Sequence, residues 1–238
     1  PEITNPPARS KSIDRTVLSA DYKRLLVRIS VIVFLTTAVS SIIFQATTFA
    51  LPKIFDEKLQ GLAASFSTWL KSPSSASGPS TATAIGFLAF LVFAVASLTQ
   101  VAVGLLLDRV GPRKVFLGMA AIQVLFFAMM PGLTDGMALA VAIGFMVGAF
   151  GQIPINDYMI GKMASGDFRA RVYGVRYVVS FTSLALALPL IGAVYRIWGF
   201  DRLFLVLAAC AFVILCAVFL LPARLPSPPV VAAPVARS

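Results

Sequence analysis

Few residues of this chain could carry covalent chemistry. The sequence has no His and only two cysteines, Cys210 and Cys216, which lie in one apolar run. Without an imidazole the chain lacks the usual general base and the commonest metal ligand. Six residues advance a helix by about 9 Å along its axis, which is too far for a disulfide. We therefore expect no catalytic residues, no metal site and no cofactor, and predict that the protein is not an enzyme.

Polar side chains interrupt several of the apolar runs. Such residues are costly in lipid and usually face the interior of a helix bundle, where they contact a small solute or bond a neighbouring helix. A serine or threonine can also bond its own helix backbone. Both roles stay open for each residue of the set, which comprises Gln45, Thr48, Thr99, Gln100, Gln152, Asn156, Ser180, Thr182 and Ser183.

One charged stretch, GLLLDRVGPRKV, separates two apolar runs. Gly104 permits close approach of another helix backbone, and Gly111 before a proline suits a tight turn. Asp108 can pair with a cation or with a helix N-terminus. The cations that follow hold such a loop on the cytoplasmic side of a membrane. An ordinary cytoplasmic hairpin between two membrane helices would have the same composition.

Composition sets the class of protein. Of 238 residues, 58% are hydrophobic and 13% are charged, which is too apolar for a soluble domain. Six apolar runs are each long enough to cross a bilayer as a helix. The sequence thus predicts an all-α polytopic membrane protein with a transmembrane domain over residues 25–222. The predicted spans are about 25–51, 81–107, 115–131, 137–158, 172–195 and 203–221.

The connecting segments have their own character. Pro52 is expected to end the first span, and the outer loop 52–80 begins with an amphipathic helix over Lys53–Leu70 that lies in the membrane interface or caps the bundle. A low-complexity linker follows. Residues 1–24 are polar and basic, and the Pro-rich tail 223–238 is not expected to fold. Pro189 is expected to interrupt the fifth span, and Pro154 to kink the fourth.

The net charge of +10 is explained by topology. Most Lys and Arg residues fall in segments that lie on one side of the membrane if the helices alternate, and this bias predicts that both termini are cytoplasmic. The partner expected from this pattern is a lipid bilayer and not a nucleic acid. The cations on the outer side are Lys53, Lys58, Lys71, Arg196 and Arg202.

The order of residues in the charged stretch adds a resemblance. G-x-L-x-D-R-x-G-x-R-K, with Leu106 at its third position, resembles the signature loop of the major facilitator superfamily, which follows the second helix of a six-helix half. Pro112 departs mildly from that pattern. A second region, from Phe150 to Asp157 and from Arg169 to Arg176, looks like the turn between the fourth and fifth helices in C-terminal halves of bacterial members.

The resemblance implies a secondary active transporter that moves a small-molecule substrate by alternating access. The six spans would be helices seven to twelve of a twelve-helix protein in the bacterial inner membrane, residues 1–24 would be the end of its central linker, and an N-terminal six-helix half would be missing. One alternative is a half-size protein that forms a homodimeric transporter with a second copy. Another is a six-helix membrane scaffold or sensor without transport activity.

The resemblance also implies roles for residues. In this family the signature loop is an inner gate, and its acid, Asp108 here, contacts a helix N-terminus and cations of the opposite half. We expect Asp157 to pair with Arg109, Arg113 or Arg176. The predicted inner gate comprises Gly104, Asp108, Arg109, Gly111, Arg113, Lys114, Asp157, Arg171 and Arg176.

The family places its cavity between the first, second, fourth and fifth helices, so Gln123 on the third is assigned to packing. Gly144, Gly148 and Gly151 form a small-residue stripe that also favours helix packing. No acidic residue lies mid-span. The neutral cavity wall favours an amphiphilic or hydrophobic substrate, or one whose charge is recognised by the other half.

Overall fold

In the computed structural model, residues 20–70, 80–163 and 168–222 are described, and their regular elements are all α-helices. Residues 1–19 of the predicted segment 1–24, residues 71–79 of the predicted outer loop 52–80, and the predicted tail 223–238 lie outside the described residues, as do residues 164–167. The helices, in chain order, are α1 (Ala20–Lys58), α2 (Gln60–Leu70), α3 (Thr81–Val110), α4 (Pro112–Met129), α5 (Asp135–Met163) and α6 (Phe168–Phe219).

Five of these helices, all except α2, are long and apolar enough to cross a membrane. The last of them, α6, contains two membrane spans that follow one another with only Gly199 between them. Gly199 interrupts it with φ 73° and ψ −178°, a conformation that suits glycine because it has no Cβ. Its first arm is 168–198 and its second arm is 200–219, so the six predicted spans are present and the turn between the last two is at Gly199.

The predicted end of the first span at Pro52 is wrong as a helix boundary. Helix α1 continues through Pro52 to Lys58, so the separate helix expected from Lys53 begins only at Gln60. Proline removes one backbone hydrogen bond, but membrane helices tolerate this loss when neighbouring elements support them. Here Leu51, Ile54 and Phe55, on both sides of the proline, are fully buried against the other helices.

The prolines predicted to disturb the fourth and fifth spans also lie inside continuous helices. Pro154 is within α5, and Pro189 is within the first arm of α6. The predicted interruption of the fifth span at Pro189 is therefore wrong, because the helix continues through this residue. The break falls at Gly199, where the backbone has a positive φ that proline cannot adopt.

The turn in the charged stretch consists of one residue. Gly111 has φ 90°, and its N–H donates to the carbonyl of Leu107 at 3.2 Å, which closes the end of α3. Pro112 then occupies the first position of α4, where its missing N–H has no helical partner to lose. The predicted turn at Gly111 and Pro112 is confirmed. It sets the distance between the charged residues at the end of α3 and those at the start of α4.

Close approach of α4 and α5 depends on the glycines of α5. A Cβ on Gly144 would lie 2.5 Å from the ring of Phe126, and one on Gly148 would lie 3.0 Å from the Cβ of Gln123. A Cβ on Gly151 would lie 2.8 Å from the sulfur of Met119. The packing role predicted for this stripe is confirmed. It brings Gln123 of α4 next to the polar residues of α5.

The end of the bundle that carries α2 is held by charged groups. Lys58, whose side chain is 12% exposed, pairs with Asp201 at 2.7 Å, just after the Gly199 turn. Asp135, with φ 51°, begins α5 and accepts a hydrogen bond from the N–H of Leu62 at 2.8 Å. This carboxylate therefore caps the first turn of α2 from a different helix.

Candidate functional site

The predicted inner gate divides into engaged and exposed residues. Arg113, at the start of α4, donates to the carbonyl of Phe219 at 2.9 Å, and Arg28 of α1 donates to the carbonyl of Leu220 at 3.2 Å. These carbonyls end the second arm of α6, where a helix has unsatisfied acceptors and negative partial charge. The two arginines therefore join α1 and the start of α4 to the end of α6.

The remaining charges of the signature loop are directed away from the bundle. Asp108, Arg109 and Lys114 are exposed, and among the described residues no hydrogen bond or ion pair engages Asp108. At Gly104, one helical turn before Asp108, no atom of another described part of the chain, apart from its own helix backbone, lies within 4 Å of where a Cβ would stand. Both residues lie on one face of α3, because positions four apart superpose along a helix.

Asp157 forms an ion pair with Arg176, which joins α5 to the first arm of α6. The predicted pairing of Asp157 with one of three arginines is confirmed. Arg176 belongs to the first arm of α6 and Arg113 is engaged with the end of α6, so this ion pair does not join α5 to the signature loop. Arg171, one turn before Arg176, is exposed.

The polar residues inside the bundle form a hydrogen-bonded seam across three helices. Ser40 of α1 donates to Oε1 of Gln152 in α5 at 2.6 Å. Nε2 of Gln152 donates to Oε1 of Gln123 in α4 at 2.8 Å. All three side chains are buried. Gln152 therefore has the interhelical bonding role that was its alternative to substrate contact.

A second polar contact joins α1 to the first arm of α6. The hydroxyls of Ser41 and Ser180 lie 3.3 Å apart, and Ser183 donates to the carbonyl of Ala38 at 3.4 Å. Together with the Ser40–Gln152 bond, these contacts place the middle of α1 between α5 and α6. The predicted residues Ser180 and Ser183 thus belong to one helix contact.

The other predicted cavity residues are dispersed. Gln45, Thr99 and Gln100 are half-buried, Thr182 is exposed, and the hydroxyl of Thr99 donates to its own helix at the carbonyl of Val95, 3.3 Å away. The positions of these residues do not test substrate contact, so that role stays a prediction.

Among the described residues, the buried side-chain atoms without a hydrogen-bond partner include Oγ1 of Thr37 and of Thr48, Oδ1 of Asn156, and Nε2 of Gln123. A buried polar group without a hydrogen bond costs about 1–3 kcal/mol, so these atoms are the places in the core where water or a rearranged side chain would be most favourable. Asn156 and Gln152 are four residues apart on α5 and share one face.

The comparison with known families adds to this geometry. The family model described as Major Facilitator Superfamily matches residues 29–236, which is most of the chain. The chain belongs to the major facilitator superfamily. No curated protein matches the sequence.

Membership of the superfamily confirms the resemblance that the signature stretch carried. Members of this superfamily are transporters, and the apolar helices make this chain an integral membrane protein of that class. In the structure the signature stretch covers the end of α3, Gly111 and the start of α4, that is, the junction of the second and third of the six membrane spans. The charged loop is thus at the position that the superfamily resemblance predicts.

The sequence reasoning missed some of the residues that organise the polar seam. Ser40 and Ser41 lie in the middle of α1, among apolar residues, and Gln123 was assigned to packing alone. The sequence carried a partial signal, because an amide inside an apolar membrane span usually faces the bundle interior and bonds a neighbouring helix. The identity of that partner depends on how the helices are rotated against one another, which the sequence of one helix does not determine.

Proposed function

We propose that this protein is a secondary transporter that moves a small solute by alternating access, with this six-helix bundle as one of the two units that enclose the substrate. The observation that carries the proposal is the outward face of α3. Gln100, Gly104 and Asp108 follow one another at four-residue spacing; Gln100 is half-buried, Gly104 has open space at its Cβ position among the described residues, and Asp108 is exposed.

A face of this kind does not suit lipid. An amide, a bare glycine and an unpaired carboxylate gain nothing from acyl chains, whereas a glycine lets a second helix approach and a carboxylate can bind the N-terminus of such a helix. The face therefore fits a second six-helix unit, supplied by another part of a twelve-helix protein or by a second copy. Substrate would lie between the two units near the middle of the membrane.

Asp108 has the properties that a reversible inner gate requires. A carboxylate at a helix N-terminus contributes about 0.3–1 kcal/mol when exposed and up to about 2 kcal/mol when partly buried. Such an energy biases two conformations without locking either one. Arg113, by contrast, is engaged with the end of α6, so it supports the loop from inside the unit while Asp108 remains available to the other unit.

The polar groups inside the unit favour a substrate that is neutral or amphiphilic. The side chains of the described polar seam are amides and hydroxyls, and the acidic residues of the spans lie near their ends. A charged solute would need its counter-charge from the opposing unit. The bias of Lys and Arg towards one side supports cytoplasmic termini in the bacterial inner membrane.

The rival proposal is a membrane scaffold or sensor, and a paired accessibility experiment separates the two. In a background without Cys210 and Cys216, single cysteines replace Gln45, in the half of α1 towards α2, or Gln100, in the opposite half of α3. Each protein is reacted in proteoliposomes with a polar maleimide, with Asp108 intact, as Asp108→Asn, or as Asp108→Glu.

Alternating access predicts opposite changes at the two probes. Weakening the inner gate with Asp108→Asn increases labelling at position 100 and decreases it at position 45, and Asp108→Glu, which keeps the charge, stays near the parent protein. A scaffold predicts equal labelling in all three backgrounds. Changes of the same sign at both probes, with an unchanged melting temperature, would also contradict the proposal.

A further inference from the structure

A surface groove on α6 has no part in the gate or in the polar seam. It lies beside the Gly199 turn, has a volume of about 430 Å³, and is lined by Trp198, Arg202, Leu205, Val206 and Ala209. The last four recur at the spacing of one helical face, on the second arm of α6. The groove therefore follows the axis of this arm.

The groove extends from the membrane surface towards the hydrocarbon. Gly199 separates two spans, so the turn marks a boundary of the membrane. Seven residues separate Arg202 from Ala209, which is about 10 Å along a helix. Trp198 is 60% exposed beside the mouth, and tryptophan is enriched at the level of lipid headgroups.

The mouth of the groove carries an uncompensated positive charge. Arg202 is exposed, and in the described part of the chain it has neither an ion pair nor a hydrogen bond. The adjacent carboxylate of Asp201 is engaged by Lys58 at 2.7 Å, so it does not neutralise Arg202. Below the guanidinium the lining is entirely aliphatic.

We propose that this groove binds an anionic phospholipid, with the phosphate at Arg202 and one acyl chain along Leu205, Val206 and Ala209. An arginine fork matches phosphate oxygens, and its charge attracts an anionic headgroup at the membrane surface. A soluble phosphate would leave the aliphatic floor uncovered, and a neutral alkyl chain would leave the guanidinium without a partner. An anionic amphiphile satisfies both parts.

The test is lipid retention by the full chain in detergent, measured by native mass spectrometry with phosphatidylglycerol or phosphatidylcholine added at equal concentration. Wild type is expected to retain phosphatidylglycerol preferentially. Arg202→Gln is expected to lower its retention about fivefold, the effect of one basic group at a membrane surface. The matched control is Arg196→Gln, because Arg196 is exposed near the same turn but does not line the groove.

A second variant tests the floor of the groove. Ala209→Phe fills the lower part while Arg202 remains, and it is expected to reduce phosphatidylglycerol retention with the melting temperature unchanged. Excess glycerol phosphate is expected not to displace the lipid, since it offers no acyl chain. Equal losses in Arg196→Gln and Arg202→Gln, displacement by glycerol phosphate, or a dimer that occludes the groove in place of lipid would each overturn the proposal.

Discussion

At the scale of single residues, Gln152 is a buried side chain with hydrogen bonds to two other helices. Its carbonyl accepts from Ser40 and its amide donates to Gln123, so one side chain joins α1, α5 and α4. Interhelical hydrogen bonds in membrane proteins contribute on average about 0.6 kcal/mol and at most about 1.7 kcal/mol each. Two such bonds on one buried side chain make Gln152 a structural residue first, whatever else it contacts.

Gln152→Ala is therefore expected to lower the free energy of unfolding in detergent by about 1–3 kcal/mol, because Ser40 and Gln123 lose a buried partner. Gln45→Ala removes a half-buried amide for which no partner is present among the described residues, and it should cost much less. A chemical unfolding titration of both variants makes the comparison. Equal losses of unfolding free energy in the two variants would contradict the hydrogen-bonded seam assigned to Gln152.

Residues of the inner gate differ in how far sequence could predict them. The partner of Asp157 was predictable within three arginines, because opposite charges at the same depth of a membrane protein attract strongly. The partner of Arg113 was not predictable, since it is a backbone carbonyl at the end of α6. Every helix has free backbone carbonyls at its C-terminal end, whatever its sequence, so no pattern of side chains identifies the acceptor of Arg113.

At the scale of helices, the α4–α5 contact depends on glycine. Gly144→Ala places a methyl group 2.5 Å from the ring of Phe126, and the ring or the helix must move. Overpacking of this kind costs about 1–3 kcal/mol. Gly118→Ala in α4 is the matched control, because no atom of the other described residues, apart from its own helix backbone, lies within 4 Å of the added Cβ, and alanine favours a helix. Thermal unfolding should show a lower melting temperature for Gly144→Ala alone, and equal melting temperatures would contradict the close packing.

Helix α2 is expected to depend on its cap. Leu59 precedes α2 and has no side-chain acceptor, so Asp135 supplies one to the N–H of Leu62. Asp135→Ala should lower the free energy of unfolding by about 1 kcal/mol and speed amide exchange in α2. Asp135→Asn keeps an acceptor and tolerates a positive φ, so it should retain most of the protection of the α2 amides from exchange. Asp56→Ala, which removes an exposed pair with Lys53, is the control. Unchanged exchange in Asp135→Ala would show that the cap is not needed.

The number of spans and the turn at Gly111 were predictable, because long apolar runs and a Gly-Pro step have few alternatives in a membrane. Helix ends at prolines were predicted less well. Pro52, Pro154 and Pro189 all lie inside helices, since buried neighbours and membrane surroundings outweigh one lost hydrogen bond. Gly199 ends a helix where proline does not, because its positive φ redirects the backbone.

At the scale of the whole molecule, the bundle has an interior held by packing and a polar seam, and an outward face on α3 that its own helices leave uncovered. Helix α3 packs on α5, and the outward face carries Gly104 and the exposed Asp108, with the half-buried Gln100 one turn before Gly104. Superfamily membership makes the protein a transporter. The proposed cycle then requires this face to meet a second unit in one conformation and to separate from it in another.

The most direct measurement of that claim needs no substrate. Hydrogen–deuterium exchange of the full chain in proteoliposomes is compared between wild type and Asp108→Asn, with Asp108→Glu as control. Alternating access predicts faster exchange around the Gly111 turn together with slower exchange in α2 and the start of α3, because opening at one side closes the other. Faster exchange at both ends, or an effect confined to the signature loop, would contradict the account.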